Sequence, residues 1–221
     1  MTFKKIKDYL KRHHRVNVSR KSLWQWAKKY GKLVYNYTKE FKVDPMGRNL
    51  HCDEKWPKVR GKDSYLWLMG LGSPHYIIEM DLTRRRLEKY PRKMFRDVKR
   101  KLISYPPMIV SDGYGGYNTC MKYFYRKSKH IVYESFKKWP NNNRIERVNG
   151  VIDDWLRRRA LKKMRYAKLL FQGLVVHHNF VREHEKKGIT PAEGVGVHLP
   201  LRENKWLALI KLANRNYVPK R

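Results

Sequence analysis

Three acids in this chain stand in contexts that can put them to chemical work. Asp53 lies inside Leu50-His-Cys-Asp-Glu-Lys-Trp56, Asp112 closes Pro106-Pro107-Met-Ile-Val-Ser-Asp112-Gly113, and Glu146 follows Pro140-Asn-Asn-Asn-Arg-Ile. The second stretch is a short apolar run bounded by prolines, which reads as a buried strand delivering a carboxylate at its C-terminal end. In the first, strand alternation puts His51, Asp53 and Lys55 on one face and Leu50, Cys52 and Trp56 on the other. The third opens a helix, because asparagine caps the free N–H groups of a first turn and Ile145, Val148, Ile152, Trp155 and Leu156 then recur at helical spacing. Glu146 sits beside that apolar face, with Gly150, Asp153 and Arg157 above it. A carboxylate there has two explanations. It can complement the helix dipole, worth a few tenths of a kcal/mol, or it can hold a metal above a nucleic-acid surface. One acid in a strand is ordinary; two on strands and a third on a helix start, in a chain with only 19 acids, are less so.

These stretches resemble the catalytic core of an insertion-sequence transposase of the DDE type, within the retroviral-integrase, RNase H-like superfamily. The resemblance rests on Asp53 in His-Cys-Asp-Glu-Lys-Trp, with Arg60-Gly61-Lys62 and Tyr65-Leu-Trp67 after it, on Asp112 in Val-Ser-Asp-Gly, and on Glu146 in Asn-Asn-Arg-Ile-Glu-Arg. Asp112 and Glu146 are 34 positions apart (146 − 112), close to the family spacing, and the resemblance runs on through Thr190-Pro191-Ala192-Glu193. It implies that Asp53, Asp112 and Glu146 are both the catalytic residues and the metal ligands. It also implies two Mg²⁺ or Mn²⁺ ions, with Asp53 bridging both and Asp112 and Glu146 each completing one. Water would cut the element's end, and the freed 3′-hydroxyl would then attack target DNA. Oxygen-only ligands suit those ions, and three convergent carboxylates repel one another and raise their own pKa values unless cations neutralise them. His51 and Asp153 are weaker candidates beside the acids. Asp153 stands where the family often has a basic residue, so no catalytic base is carried over.

The elements that must position these acids follow from the rest of the chain. Thr2 can cap a helix with Phe3, Ile6 and Leu10 as its buried stripe. Ser19 can cap a second that buries Leu23, Trp26, Ala27 and Tyr30 and stops at Gly31. The outer face of this second helix carries Arg20, Lys21, Gln25, Lys28 and Lys29, as a helix-turn-helix needs for phosphates and base edges. A plain helical hairpin with solvated lysines is the alternative. Tyr35–Asn49 reads as a connector. Three strands follow within Leu50–Asp81, the middle one, Tyr65–Leu71, apolar enough to be covered on both faces. Thr83–Tyr105 is predicted helical and very basic, with Pro91 interrupting it or opening its second half and Met94, Val98 and Leu102 facing the sheet. Met108–Ser111 is the fourth strand. Gly113-Tyr-Gly-Gly116 lets backbone and DNA come close to Asp112, and Tyr114 and Tyr117 either stack on bases or pack in the core. His130–Tyr133 is the fifth strand. A helix over Arg165–Glu185 buries Leu170, Phe171, Leu174 and Val181, with His177-His178 as packing or surface, and Glu203–Asn214 forms a last amphipathic helix.

The expected architecture is therefore α/β: an RNase H-like mixed five-stranded sheet flanked by helices, in the order β-β-β-α-β-α-β-α, with a small N-terminal helical domain. The expected division is a helix-turn-helix-like DNA-binding segment over 1–35, a linker over 36–49, a DDE catalytic domain over 50–197 and a basic, amphipathic tail over 198–221. Composition agrees with a polyanion partner. Lys and Arg number 52 against 19 acids, a formal net charge of +33 in 221 residues, and such self-repulsion calls for nucleic acid or an anionic surface. No run reaches the length of a membrane span and no signal peptide opens the chain. Cys52 and Cys120 have no Cys-x-x-Cys partner, which excludes a disulfide framework or zinc site and fits reduced core residues. The reading is a cytoplasmic, nucleoid-associated transposase that works as a homo-oligomer on double-stranded DNA, both element ends and target. Arg144, Arg147, Arg157 and Arg158 join Arg20, Lys21, Gln25 and Lys28 of the second helix as DNA contacts. A DNA-binding protein without catalysis, such as a degenerate element or a repressor, is the principal rival. A ribosomal-type RNA-binding protein explains the charge but not the strand acids.

Overall fold

A computed structural model of the chain describes residues 2–73, 75–133, 143–157, 161–184, 188–201 and 203–216. Its centre is a five-stranded sheet built from β1 (Leu50–Lys55), β4 (Tyr65–Leu71), β5 (Ile77–Thr83), β6 (Met108–Ser111) and β7 (Lys129–Val132) in the order β5-β4-β1-β6-β7. The first three strands form an antiparallel meander, and β1–β6 and β6–β7 pair in parallel. Two two-residue strands, β2 (Lys58–Val59) and β3 (Lys62–Asp63), form a separate hairpin at the Arg60-Gly61 turn. The predicted element order and the RNase H-like arrangement are present, and the third strand of the meander, expected over Tyr76–Met80, runs instead from Ile77 to Thr83.

Alternation along β4 shows why this strand is wholly apolar. Trp67, Met69 and Leu71 join one hydrophobic cluster, with Met94, Phe95 and Val98 of α3 (Lys89–Lys101) and Tyr117, Cys120 and Met121 of α4 (Gly115–Phe124). Leu66 and Leu68 join the other, with Ile145, Val148 and Ile152 of α5 (Asn143–Arg157) and Phe171 and Leu174 of α6 (Met164–Val176). Both faces are covered, so neither can afford a polar side chain without a partner. Cys52 and Cys120 are buried free thiols in the first cluster.

At the N-terminus, α1 (Phe3–His14) and α2 (Arg20–Thr38) begin at the expected caps: Thr2 accepts from Lys5 N at 3.3 Å and Ser19 from Ser22 N at 2.9 Å. The stripe Phe3, Ile6 and Leu10 is half-buried. Two expectations for α2 fail. It does not stop at Gly31 but continues to Thr38, because Val34 is fully buried in the first cluster and Leu33, Tyr35 and Tyr37 pack around it. The burial phase also differs. Trp26 is 46 % exposed and Ala27 is exposed, while Trp24 packs edge-on against Phe3 and Tyr166.

Three more predicted elements change extent. The basic stretch is helical only from Lys89, since Pro91 has no N–H to give and is tolerated in a first turn; Met94 and Val98 face the sheet as expected, joined by Pro91 and Phe95. α6 ends at Val176 and passes into a single π-helical turn, His177–Val181. That turn turns Asn179 onto the sheet, where its amide accepts from Ile77 N at 3.0 Å and donates to Ile77 O at 2.7 Å. His178 is packed as predicted, one ring nitrogen 2.8 Å from His75 O. The last helix, α7 (Lys205–Arg215), is capped by Asn204, and buries Leu209 and Ala213 in the first cluster against α2. The helix expected within the tail thus packs into the core. The Thr190–Glu193 stretch is a capping box, with Glu193 Oε2 accepting from Thr190 N at 2.6 Å and Thr190 Oγ1 accepting from Glu193 N at 3.2 Å.

Candidate active site

The sheet brings the two strand acids together. β1 and β6 pair in parallel with Leu50 opposite Ile109 and His51 opposite Val110. Asp53 and Asp112 each lie two residues beyond the His51–Val110 pair, at the same end of these two neighbouring strands. The next strand continues the row. Ser111 pairs with Val132, and Tyr133 N donates to Ser111 O at 3.1 Å, so Tyr133 stands beside Asp112.

Helix α5 supplies the third acid by packing along β1. Asn149 Nδ2 donates to Asp53 Oδ2 at 2.5 Å, and Asp153, one turn later, accepts from Lys55 Nζ at 2.8 Å. Strand residues two apart therefore meet helix residues four apart. Glu146, one turn before Asn149, lies on the same row of the helix. The other Asp53 oxygen, Oδ1, accepts from Glu54 N at 2.8 Å. Asp112 Oδ1 accepts from Tyr114 N at 3.2 Å, and Ser111 Oγ lies 2.8 Å from His130 Nε2 behind it.

Electrostatics report the same convergence. The Asp53 carboxyl is raised to about 6, chiefly by burial; its hydrogen bonds from Glu54 and Asn149 oppose the rise, and the charges of Asp112 and Glu146 add to it. The Tyr133 phenol is raised by burial and then by Asp53, Glu146 and Asp112, which places all three acids in its field. Three oxygen donors of this kind fit a hard divalent cation rather than zinc. Among the described residues no three His, Cys, Asp or Glu side chains stand close enough together to form a ready-made ion cage.

Other sequence-predicted residues fall in different places. His51 is buried beneath the site, and Asp153 is neutralised by Lys55. Arg20, Lys21, Gln25 and Lys28 are exposed on α2, Arg147 is exposed on α5, and Arg157 pairs with Asp154 at 2.8 Å. Arg158, the Arg144 side chain and the asparagines expected to cap α5 at 141 and 142 lie outside the described residues. In the Gly-rich turn, a Cβ on Gly116 would meet the Tyr114 ring at 2.5 Å. Tyr117 is core. Sequence reasoning missed Asn149 and Tyr133. Asn149 was detectable as the residue one turn after Glu146, whereas Tyr133 emerges only from strand register.

Comparison with known proteins bears on this geometry directly. A family model described as a DDE domain matches residues 47–184, well over half the chain. The chain belongs to the DDE transposase family. That match spans all three acids. Among solved structures, the simian T-cell lymphotropic virus intasome in complex with a PP2A regulatory subunit aligns at 12 % identity and a TM-score of 0.53, over 73 % of this chain and 56 % of that one. The DDE chain thus spans about half the length of that relative, and the likeness is one of fold. The HTLV-2 integrase catalytic core in complex with magnesium aligns at 14 % identity over 67 % of this chain and 96 % of that one, TM-score 0.49. The Mos1 mariner transposase catalytic domain aligns at 12 % over 86 % and 87 %, TM-score 0.45. No curated protein matches the chain. No described helix is long and apolar enough to cross a membrane.

Proposed function

We propose that this chain cleaves DNA at the ends of a mobile element and joins the freed ends to target DNA, with Asp53, Asp112 and Glu146 as its catalytic acids. The observation that supports the reading is the parallel pairing of the two acid-bearing strands, under a helix whose Asn149 holds Asp53 one turn from Glu146. When bound there, Mg²⁺ or Mn²⁺, as two ions on the family pattern, would activate the attacking oxygen and stabilise the leaving one. Asp53, Asp112 and Glu146 are the residues that would hold them, the Asp53 carboxyl lying in the field of the other two. Asn149 and Glu54 N keep the Asp53 carboxylate oriented, and Tyr114 N does so for Asp112. In the first step water displaces the 3′ oxygen of the scissile phosphodiester, leaving a 3′-hydroxyl. In the second, that hydroxyl attacks a target phosphodiester and displaces its 3′ oxygen.

The N-terminal helices within 1–35 would add duplex contacts through Arg20, Lys21, Gln25 and Lys28, and Arg144, Arg147, Arg157 and Arg158 would hold phosphates near the acids. Two ends must be cut and joined, so a homo-oligomer on DNA follows from the chemistry.

Glu146→Gln tests this reading. If Glu146 only complements a helix dipole, the change costs a few tenths of a kcal/mol and leaves cleavage intact. As a metal-site acid it should lower cleavage of a labelled DNA end by about a hundredfold or more, with DNA affinity unchanged or tighter because a negative charge is gone. Asp153→Asn, on the same helical row, is the control and should retain most activity. Full cleavage by Glu146→Gln would leave a DNA-binding role alone.

A further inference from the structure

On the sheet face opposite α5, beside the acid edge, an aromatic–guanidinium column stands with one large ring in water. Glu54 follows Asp53 and points to the other face of β1, where its side chain is only 3 % exposed. Burial raises its carboxyl; the Arg86 guanidinium, ion-paired with it, and then the Trp56 indole N–H offset the rise. Arg86 lies over the Tyr114 ring at 4.1 Å and near the Trp56 ring at 6.0 Å. Tyr114 is fixed in turn by Trp67 behind it, Gly116 beneath it and its own N–H on Asp112. Trp56 is nevertheless 63 % exposed.

The Glu54–Arg86 pair needs no indole for its burial, since Tyr114 already covers the guanidinium. Trp56, held beside that pair by its N–H on Glu54 and by the guanidinium, still leaves most of its ring in water as an oriented π-surface. Its neighbours are cationic: Arg84 is tied to Val59 O and Ser64 Oγ, while Arg85 is exposed. An exposed indole next to arginines is what binds unpaired nucleotides, because every base has a face to stack and a phosphate to neutralise. The same column reaches the acid edge of the sheet through Tyr114, whose N–H donates to Asp112.

We propose that Trp56, backed by Arg86 and Tyr114, is a stacking site for an unpaired nucleotide at a DNA end, and that the protein therefore prefers frayed or single-stranded ends to blunt ones. The proposal rests on the reading of this chain as a protein that works on DNA ends, but not on its catalysis. The experiment is fluorescence anisotropy of the full chain, in chelator so that nothing is cut, with a labelled blunt duplex and the same duplex carrying a short 3′ or 5′ overhang. Wild type should bind at least one overhang about tenfold more tightly than the blunt end. Trp56→Ala should lose that preference with blunt-end affinity unchanged and a native circular-dichroism spectrum, and Trp56→Tyr should keep most of it. A wild type without the preference, a Trp56→Ala protein that retains it, or an equal loss on blunt and overhanging DNA would each overturn the proposal. Loss of cleavage in Glu146→Gln leaves this binding test untouched, and a chain that cuts nothing can still show the preference, so the two readings fail separately.

Discussion

Asp53 is the residue on which burial, hydrogen bonding and like charge all act. Its folded carboxyl, at about 6, holds a proton more tightly than the ordinary value of 3.8. Its contribution to folding is therefore fully present below pH 3.8 and is lost as pH rises through 6. Asp53→Asn, which keeps a side-chain acceptor for Asn149, should raise stability at neutral pH by on the order of 2 kcal/mol and by little near pH ~4. Thermal melts at the two pH values check the sign. If the three acids take a cation, added Mg²⁺ should raise the melting temperature of the wild type and not of Asp53→Asn, a readout independent of cleavage. Glu146 and Asn149 share one helical row, so Glu146→Gln can report on chemistry without disturbing the grip on Asp53.

At the scale of elements, two predictions follow from where the chain departs from its local signals. Gly31 lies inside α2, where a Cβ would meet nothing within 4 Å. Gly31→Ala should stabilise the protein by about 0.5–1 kcal/mol, since glycine inside a helix gives up the most backbone freedom. A destabilised Gly31→Ala protein in denaturant unfolding would mean that the helix does break there. Asn179 does the reverse work, holding the Ile77 N–H and carbonyl from a π-helical turn. Asn179→Ala leaves two buried backbone groups unpaired and should cost about 2–4 kcal/mol, measured as a lower denaturant midpoint with an unchanged slope.

Across the whole molecule, charge is the dominant property. Ion pairs among the described residues engage a minority of the cations, and several of the pairs they make, such as Lys101 with Glu79 and Arg86 with Glu54, are structural. Arg85, Arg92, Arg96, Lys99 and Arg100 remain exposed along and before α3. If about six phosphates are engaged, the logarithm of the DNA association constant should fall against the logarithm of salt with a slope near −5. A titration giving a slope near −1 would mean the charge is merely solvated.

The sequence by itself determined the five strands of the main sheet, the caps at Thr2 and Ser19 and the sign of the net charge, because alternation, capping chemistry and net charge are local or additive. It could not determine where α2 ends, since Gly31 is a stop signal only until burial of Val34 outweighs it. Nor could it decide which face Trp26 takes, or that 205–215 packs against its own chain, because each depends on a surface supplied from far along the sequence. The site divides the same way. Asp53, Asp112 and Glu146 are legible as residue types in suitable elements. That Asp53 and Asp112 lie at the same end of neighbouring strands, that Tyr133 stands beside Asp112, and that Asn149 and Arg86 brace the two sides of β1 were decided by strand register and helix packing. Those are fixed only when both faces of the sheet are buried, since a one-residue slip would turn every side chain to the wrong face.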